Sequence, residues 1–194
     1  MLASITPLGE RSRRQRWPVT VTALIAASTV AAGAVGAALA AAGRLVPTGG
    51  TVRLDGLLAA CVAALVLELG PSGIRLPTHR RQVDERWLHR YRGWVYGIGF
   101  GGQLGVGVAT VVATPAVYVA FVAQLLAPSV AAGLAIGATF GLVRGATVLS
   151  TARVDSPGAL TAFHRRFQRG ERLAAAAAVA SQVAIVLAAG ALAL

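Results

Sequence analysis

The sequence predicts an all-α polytopic transmembrane helix bundle of about five spans, with two cytoplasmic interfacial helices. Three observations predict it. Hydrophobic residues make up 56% of the chain and charged residues 13%, with a mean hydropathy of +0.68, whereas a soluble domain carries about a quarter charged residues. Several apolar runs are long enough to cross a hydrocarbon core, which takes about 20 helical residues. Of the 18 basic residues, all arginine, fifteen crowd into three stretches beside those runs: Arg11, Arg13, Arg14 and Arg16; Arg75, Arg80, Arg81, Arg86, Arg90 and Arg92; and Arg153, Arg165, Arg166, Arg169 and Arg172.

That crowding decides what the net charge of +11 means. A basic face laid on a phosphate backbone would favour nucleic acid by releasing counterions. Arginine held next to apolar runs is instead the positive-inside pattern of cytoplasmic loops, so nucleic acid is not an expected partner. Anionic lipid headgroups are, each arginine near a charged surface being worth about 1 kcal/mol. Cys61 is the single cysteine, so one chain can build neither a disulfide nor a C-x-x-C pair.

The elements follow in order. Residues 1–18 form a basic cytoplasmic tail. The first span, 19–42, carries no charge and exceeds the roughly 15 residues of a signal-peptide apolar region, so it is expected to be retained. Pro47, Gly49 and Gly50 break the chain before the second span, 54–70, which carries Glu68 near its far end. In PSGIRLPTHRRQVDERWLHRYRGW, Val83, Trp87, Tyr91 and Trp94 recur near helical spacing between arginines, which predicts an interfacial helix with aromatics at headgroup depth.

The third apolar stretch, 93–126, has no charged residue. A straight helix of that length would rise roughly 51 Å through a core of about 30 Å. It must bend or break, and Thr114-Pro115 offers the place, because proline lacks a donor and clashes with the preceding turn. Ala127-Pro128-Ser129 makes a turn or cap before the fourth span, 130–150. Ser156 then caps a helix with Pro157 at its first position, carrying Leu160, Phe163 and Phe167 on one side and arginines around the rest. The fifth span is 173–194. With all three arginine clusters cytoplasmic, five crossings put the amino terminus inside and the carboxyl terminus outside the plasma membrane, here a bacterial one.

The stretch GIGFGGQLGVG contains a literal G-x-G-x-x-G in Gly97, Gly99 and Gly102. A dinucleotide site would need a preceding strand and an acid about 20 residues on. No Asp or Glu occurs between Glu85 and Asp155, so the nucleotide reading fails. A different regularity covers these residues. Gly93, Gly97, Gly101 and Gly105 are spaced by four, and so are Gly133, Gly137, Gly141 and Gly145 in the next span. Residues four apart share a helix face, so each span presents a groove that another helix can approach closely. Packing alone is one use of such grooves. The other is a discontinuous helix whose loosened backbone lines a binding site near the midplane, with Gln103, Thr110, Thr114, Tyr118 and Gln124 along the substrate path.

Ionisable residues within spans are costly and are functional candidates by default. The two are Glu68 and Arg144, each near the cytoplasmic end of its helix in the five-span threading, where they could pair or snorkel separately to the interface. Gln182 and Ser181 in the last span are expected to bond a neighbouring helix. His79, His89 and His164 all fall in cytoplasmic segments, and no metal site, cofactor or nucleophilic triad is expected from their spacing.

Residues 93–194 resemble the second half of the DsbD/CcdA-type membrane proteins. The resemblance rests on YGIGFGGQLGVGVATVVATP as a glycine-rich span broken by proline, on FGLVRGA after it, and on the arginine-rich loop before the last span. It implies paired helix repeats that carry electrons or small solutes. The redox members need a cysteine in each broken helix, and residues 93–194 contain none, so the resemblance does not extend to thiol transfer. The expected function is a small transporter or exporter of an ion or small solute, without enzymatic activity. The alternative is a non-catalytic subunit or scaffold, in a homo-oligomer or with a partner membrane subunit, that binds partner helices through its glycine faces.

Overall fold

The computed structural model describes residues 4–45, 49–69, 86–107 and 114–192. Regular structure among them is helical: α1 (Pro7–Ser12), α2 (Trp17–Gly43), α3 (Gly50–Leu69), α4 (Arg86–Arg90), α5 (Gly93–Val106), α6 (Ala116–Leu125), α7 (Val130–Ala146) and α8 (Pro157–Leu192), with a 3-10 segment Thr147–Thr151 continuing α7. Two helical stretches are long and apolar enough to cross a membrane, Trp17–Gly43 and Val130–Thr151, and Ala116–Leu125 is a shorter apolar helix.

Local chemistry explains most boundaries. α2 opens with proline in its first turn, where the missing N–H has no helical partner to lose. Its hydroxyls turn back on their own helix, Thr22 to Pro18 O and Thr29 to Ile25 O at 2.8 Å each, which satisfies polar groups within an apolar segment. α7 starts where the Ser129 hydroxyl accepts from the Ala132 N–H at 3.1 Å, and α8 where the Ser156 hydroxyl accepts from Ala159 N–H at 3.3 Å. Both caps are those expected from the sequence.

The third apolar stretch is divided. α5 stops at Val106 with Gly107 at φ 79, a left-handed conformation that glycine adopts without a Cβ penalty. The helix resumes as α6 after Pro115. The carboxyl-terminal part differs from expectation. The predicted interfacial helix after Pro157 and the predicted last span from residue 173 form a single helix of 36 residues. The arginine-rich half and the alanine-rich half differ in composition, but both favour helix, and Gly170 alone costs only about 1 kcal/mol. The other predicted interfacial helix begins within residues 70–85, outside the described residues, and its described part is the five-residue α4.

The centre of the molecule is α2, with α5 and α7 packed on adjoining flanks of it and in contact with each other. A side-chain carbon on Gly97 would stand 2.6 Å from Thr20 O, one on Gly101 would overlap Leu24 O, and one on Gly105 would overlap Ser28 O. Rising numbers meet rising numbers, so α5 runs parallel to α2. On the neighbouring flank Gly133 meets Gly36 and Ala40, Gly137 meets Ala32, Gly141 meets Ser28, and Gly145 meets Ile25; falling numbers make α7 antiparallel. Ser28 closes the second contact by donating its hydroxyl to Gly141 O at 2.8 Å. Both glycine stripes are therefore buried against one helix, whose own small residues lie on two faces.

α3 stands apart from this trio, packing on α6 and α8. Its contact is a small apolar cluster of Cys61, Ala64 and Val119, flanked by Leu57 and Val186.

The packing separates glycines that look alike in the sequence. Gly99 lies against the Trp87 ring, where a Cβ would come within 2.9 Å of Cζ3, but around Gly102 there is open space. Gly102→Ala should therefore be tolerated and raise stability by about 0.5–1 kcal/mol, the ordinary gain of alanine over glycine in a helix. A thermal melt of the detergent-solubilised protein checks this.

Candidate functional site

Three groups of polar residues lie inside the molecule, and the sequence singled out only part of them. The first is at the amino-terminal end of α2. Thr6 caps α1 by accepting from Gly9 N–H at 3.0 Å, and the following turn brings Glu10 inward until it is fully buried. Its carboxylate accepts from Thr20 Oγ1 at 2.7 Å, from Tyr96 Oη, which lies 2.5 Å from each oxygen, and from Arg13 in a 2.7 Å ion pair. The same arginine donates to Ser4 O at 2.6 Å, and its guanidinium lies 5.9 Å from the Tyr96 ring centre. Burial works against the Arg13 charge, but hydrogen bonds to Glu10 and Tyr96 outweigh it and hold its pKa above arginine's ordinary value.

This cluster explains why the first stripe begins with glycine. A Cβ on Gly93 would overlap Thr20 Oγ1 and stand 3.3 Å from Glu10 Oε2, while the Gly93 N–H donates to Gln15 Oε1 at 3.0 Å. The segment also reaches the far side of the bundle, where Leu8 N–H donates to Val154 O at 3.1 Å and Thr151 donates to Ile5 O at 2.9 Å. Ile5 joins Val21, Leu24, Tyr96, Phe100 and Val148 in the larger apolar core. The stretch expected to be a basic tail thus contains a folded element that ties α2, α5 and the end of α7 together. The Thr-Pro pair ahead of Glu10 is a helix-start signal that could have revealed it.

The second group is the predicted substrate path. Gln103 and Tyr118 are half-buried, Thr114 sits half-buried at the break, and Thr110 lies outside the described residues. Gln124 is 1% exposed, and its Oε1 has no hydrogen-bond partner. Beside the break, Gly107 faces Phe121 and Phe140, whose ring centres are 6.2 Å apart.

The third group concerns the charges. No salt bridge joins Glu68 to Arg144; among the described residues the salt bridge is that of Arg13 with Glu10. The Arg144 guanidinium lies 5.6 Å from the Phe140 ring centre on its own helix. The physical reason is lateral: α3 packs on α6 and α8 while α7 packs on α2, so similar depth does not make the two residues neighbours. Glu68 Oε2 is buried without a partner. So are both amide atoms of Gln182, a side chain 1% exposed, and the expected bond from it to a neighbouring helix is not formed. Ser181 bonds its own helix at Ala178 O. Among the described residues no group of histidine, cysteine and acidic side chains could hold a metal ion; His79 lies outside them.

Compared with known proteins, the chain is similar to the "Methylamine utilization protein MauF" of Methylorubrum extorquens, 31% identical over 147 residues that cover 74% of this chain and 52% of that protein. The chain spans about half the length of this relative. No family model matches it, and no solved structure does.

Proposed function

We propose that the chain is a five-crossing protein of a bacterial plasma membrane, amino terminus inside, that moves an ion or small solute. The observation that carries this reading is that the third apolar stretch is not one helix: α5 ends at Val106 with Gly107 at positive φ, and α6 starts afresh after Pro115, an arrangement of half-helix ends of the kind found at solute sites. The helix directions agree with the threading: α2 and α5 run the same way and α7 the opposite way, as first, third and fourth crossings must. The DsbD/CcdA resemblance of residues 93–194 points to solute carriage as well, and exposed Trp87, Tyr91 and Trp94 beside Arg90 and Arg92 suit a surface of anionic headgroups.

The test is flux. Vesicles containing the purified chain, exposed to an osmotic jump with small neutral solutes and with salts, should reswell faster than empty vesicles for at least one of them. Thr114→Val and Gln124→Leu should slow that phase about tenfold, the loss of one well-placed polar contact, while the variants elute as folded protein. Equal rates in loaded and empty vesicles for every solute would sink the proposal.

The likeness to MauF favours a second reading, a role in methylamine utilization, which the chain would fill as a non-catalytic membrane subunit beside a partner. Such a partner would not use the glycine stripes, which are filled by α2; it would meet exposed apolar residues such as Val52, Val62, Val66 and Leu69 of α3. Co-purification of a stoichiometric partner, lost on Val62→Arg and Val66→Arg, distinguishes this reading.

A further inference from the structure

We infer that the contact between α3 and α8 is a binding site for a small monovalent cation bearing N–H donors, an ammonium-type ion, held by Glu68 and Gln182. The inference rests on the reading above for its purpose and for one point of geometry, the antiparallel course of the second and fifth crossings, which carries α8 from Val186 to Gln182 toward the Glu68 end of α3. On α3, Leu57, Cys61, Ala64 and Glu68 follow at spacings of four, three and four, one stripe of the helix; the first three form or flank the apolar cluster with α6 and α8. On α8, Gln182 and Val186 are four apart and share a face, and Val186 packs into that same cluster. Gln182 therefore projects from the face of α8 that meets the α3 stripe, one turn from its apolar contact.

Both of its amide atoms are buried without a partner, and so is Glu68 Oε2. Buried polar groups in native proteins are bonded to protein, water or an ion, and ionisable groups within a membrane mark pathways. An amide left bare in an apolar cluster is costly, and an apolar residue of the same length would fill the place at no such cost. The bare set offers two acceptor oxygens, one from a carboxylate, against a single N–H2 donor. A carboxylate with an amide carbonyl suits a compact cation that donates several hydrogen bonds. It does not suit an anion, since the nearest guanidinium expected in the membrane, Arg144, lies on α7 against Phe140.

Thermal melting of the full detergent-solubilised chain at fixed pH, in ammonium chloride against sodium and potassium chloride of equal strength, reads the site without requiring flux. Saturating ammonium should raise the midpoint of the wild type by about 2–4 °C over the other two salts. Glu68→Gln and Gln182→Met should abolish that shift. Gln182→Met should also melt above the wild type in sodium chloride, because it removes an unbonded buried amide, so its loss of the shift cannot be ascribed to misfolding. The inference is overturned if ammonium acts no differently from potassium, or if the shift survives in Gln182→Met. Flux of another solute with no ammonium shift would refute the cation site and leave the transport reading standing. A shift that depends on both residues, in vesicles that pass nothing, would do the reverse.

Discussion

Gly101→Leu should yield no stable folded protein. A Cβ at this position overlaps Leu24 O and stands 3.0 Å from the Ala27 Cβ, so even the first added carbon meets backbone rather than a mobile side chain. α2 is held against retreat, because Gly137 and Gly141 of α7 grip its neighbouring flank at Ala32 and Ser28 just as closely. Ordinary overpacking costs about 1–3 kcal/mol and relaxes by side-chain movement. Here neither helix can give, and the cost should exceed about 4–5 kcal/mol, a large part of a typical folding margin. Size-exclusion elution in detergent checks it, with Gly102→Leu as the comparison: that neighbour has no atom within 4 Å of its Cβ position and should elute as the wild type does. If the two behave alike, the contact between α2 and α5 is not as described.

Glu10→Ala should be nearly as damaging. It leaves the Arg13 guanidinium, whose side chain is 14% exposed, beside a cavity, together with the hydroxyls of Thr20 and Tyr96. Removing one partner from a buried, bonded ion pair costs about 3–5 kcal/mol. Removing both costs less, since the uncompensated charge goes as well. Arg13→Ala in the Glu10→Ala background should therefore recover part of the loss, with a coupling of about 1–3 kcal/mol. Glu10→Gln, which keeps an oxygen for Thr20 and Tyr96, should fall between. Unfolding midpoints of the four proteins measure the cycle; additive losses would mean that the ion pair carries none of the stability.

The glycine stripes were legible in the sequence because their period is the period of a helix face, and the restart of the helix at Pro115 because proline suits a helix start; the end of α5 at Gly107, eight residues earlier, was not singled out. The helix starts at Val130 and Pro157 were legible for a similar reason, each being announced by a serine whose hydroxyl finds a nearby N–H. What the stripes touch was less plain, although α2 carries its own signal in Ser28, Ala32, Gly33 and Gly36. Glu10 was missed because its partner Tyr96 is 86 residues away, and a carboxylate among arginines reads as part of a solvated tail. The pairing of Glu68 with Arg144 failed on the same ground. Spacing reports which residues share a face of one helix, and says nothing about which helix stands beside it.

The contacts on both flanks of α2 also bear on how the protein could change shape. Helices that meet backbone to backbone along several turns cannot slide or roll past one another without collision, so α2, α5 and α7 would move as a rigid slab, clamped at one end by the Glu10 latch. α3 meets its neighbours through side chains, those of Leu57, Cys61, Val119 and Val186 among them, rather than backbone to backbone. Any motion of one part of the molecule against the rest would have its plane of slippage there, where α3 meets α6 and α8.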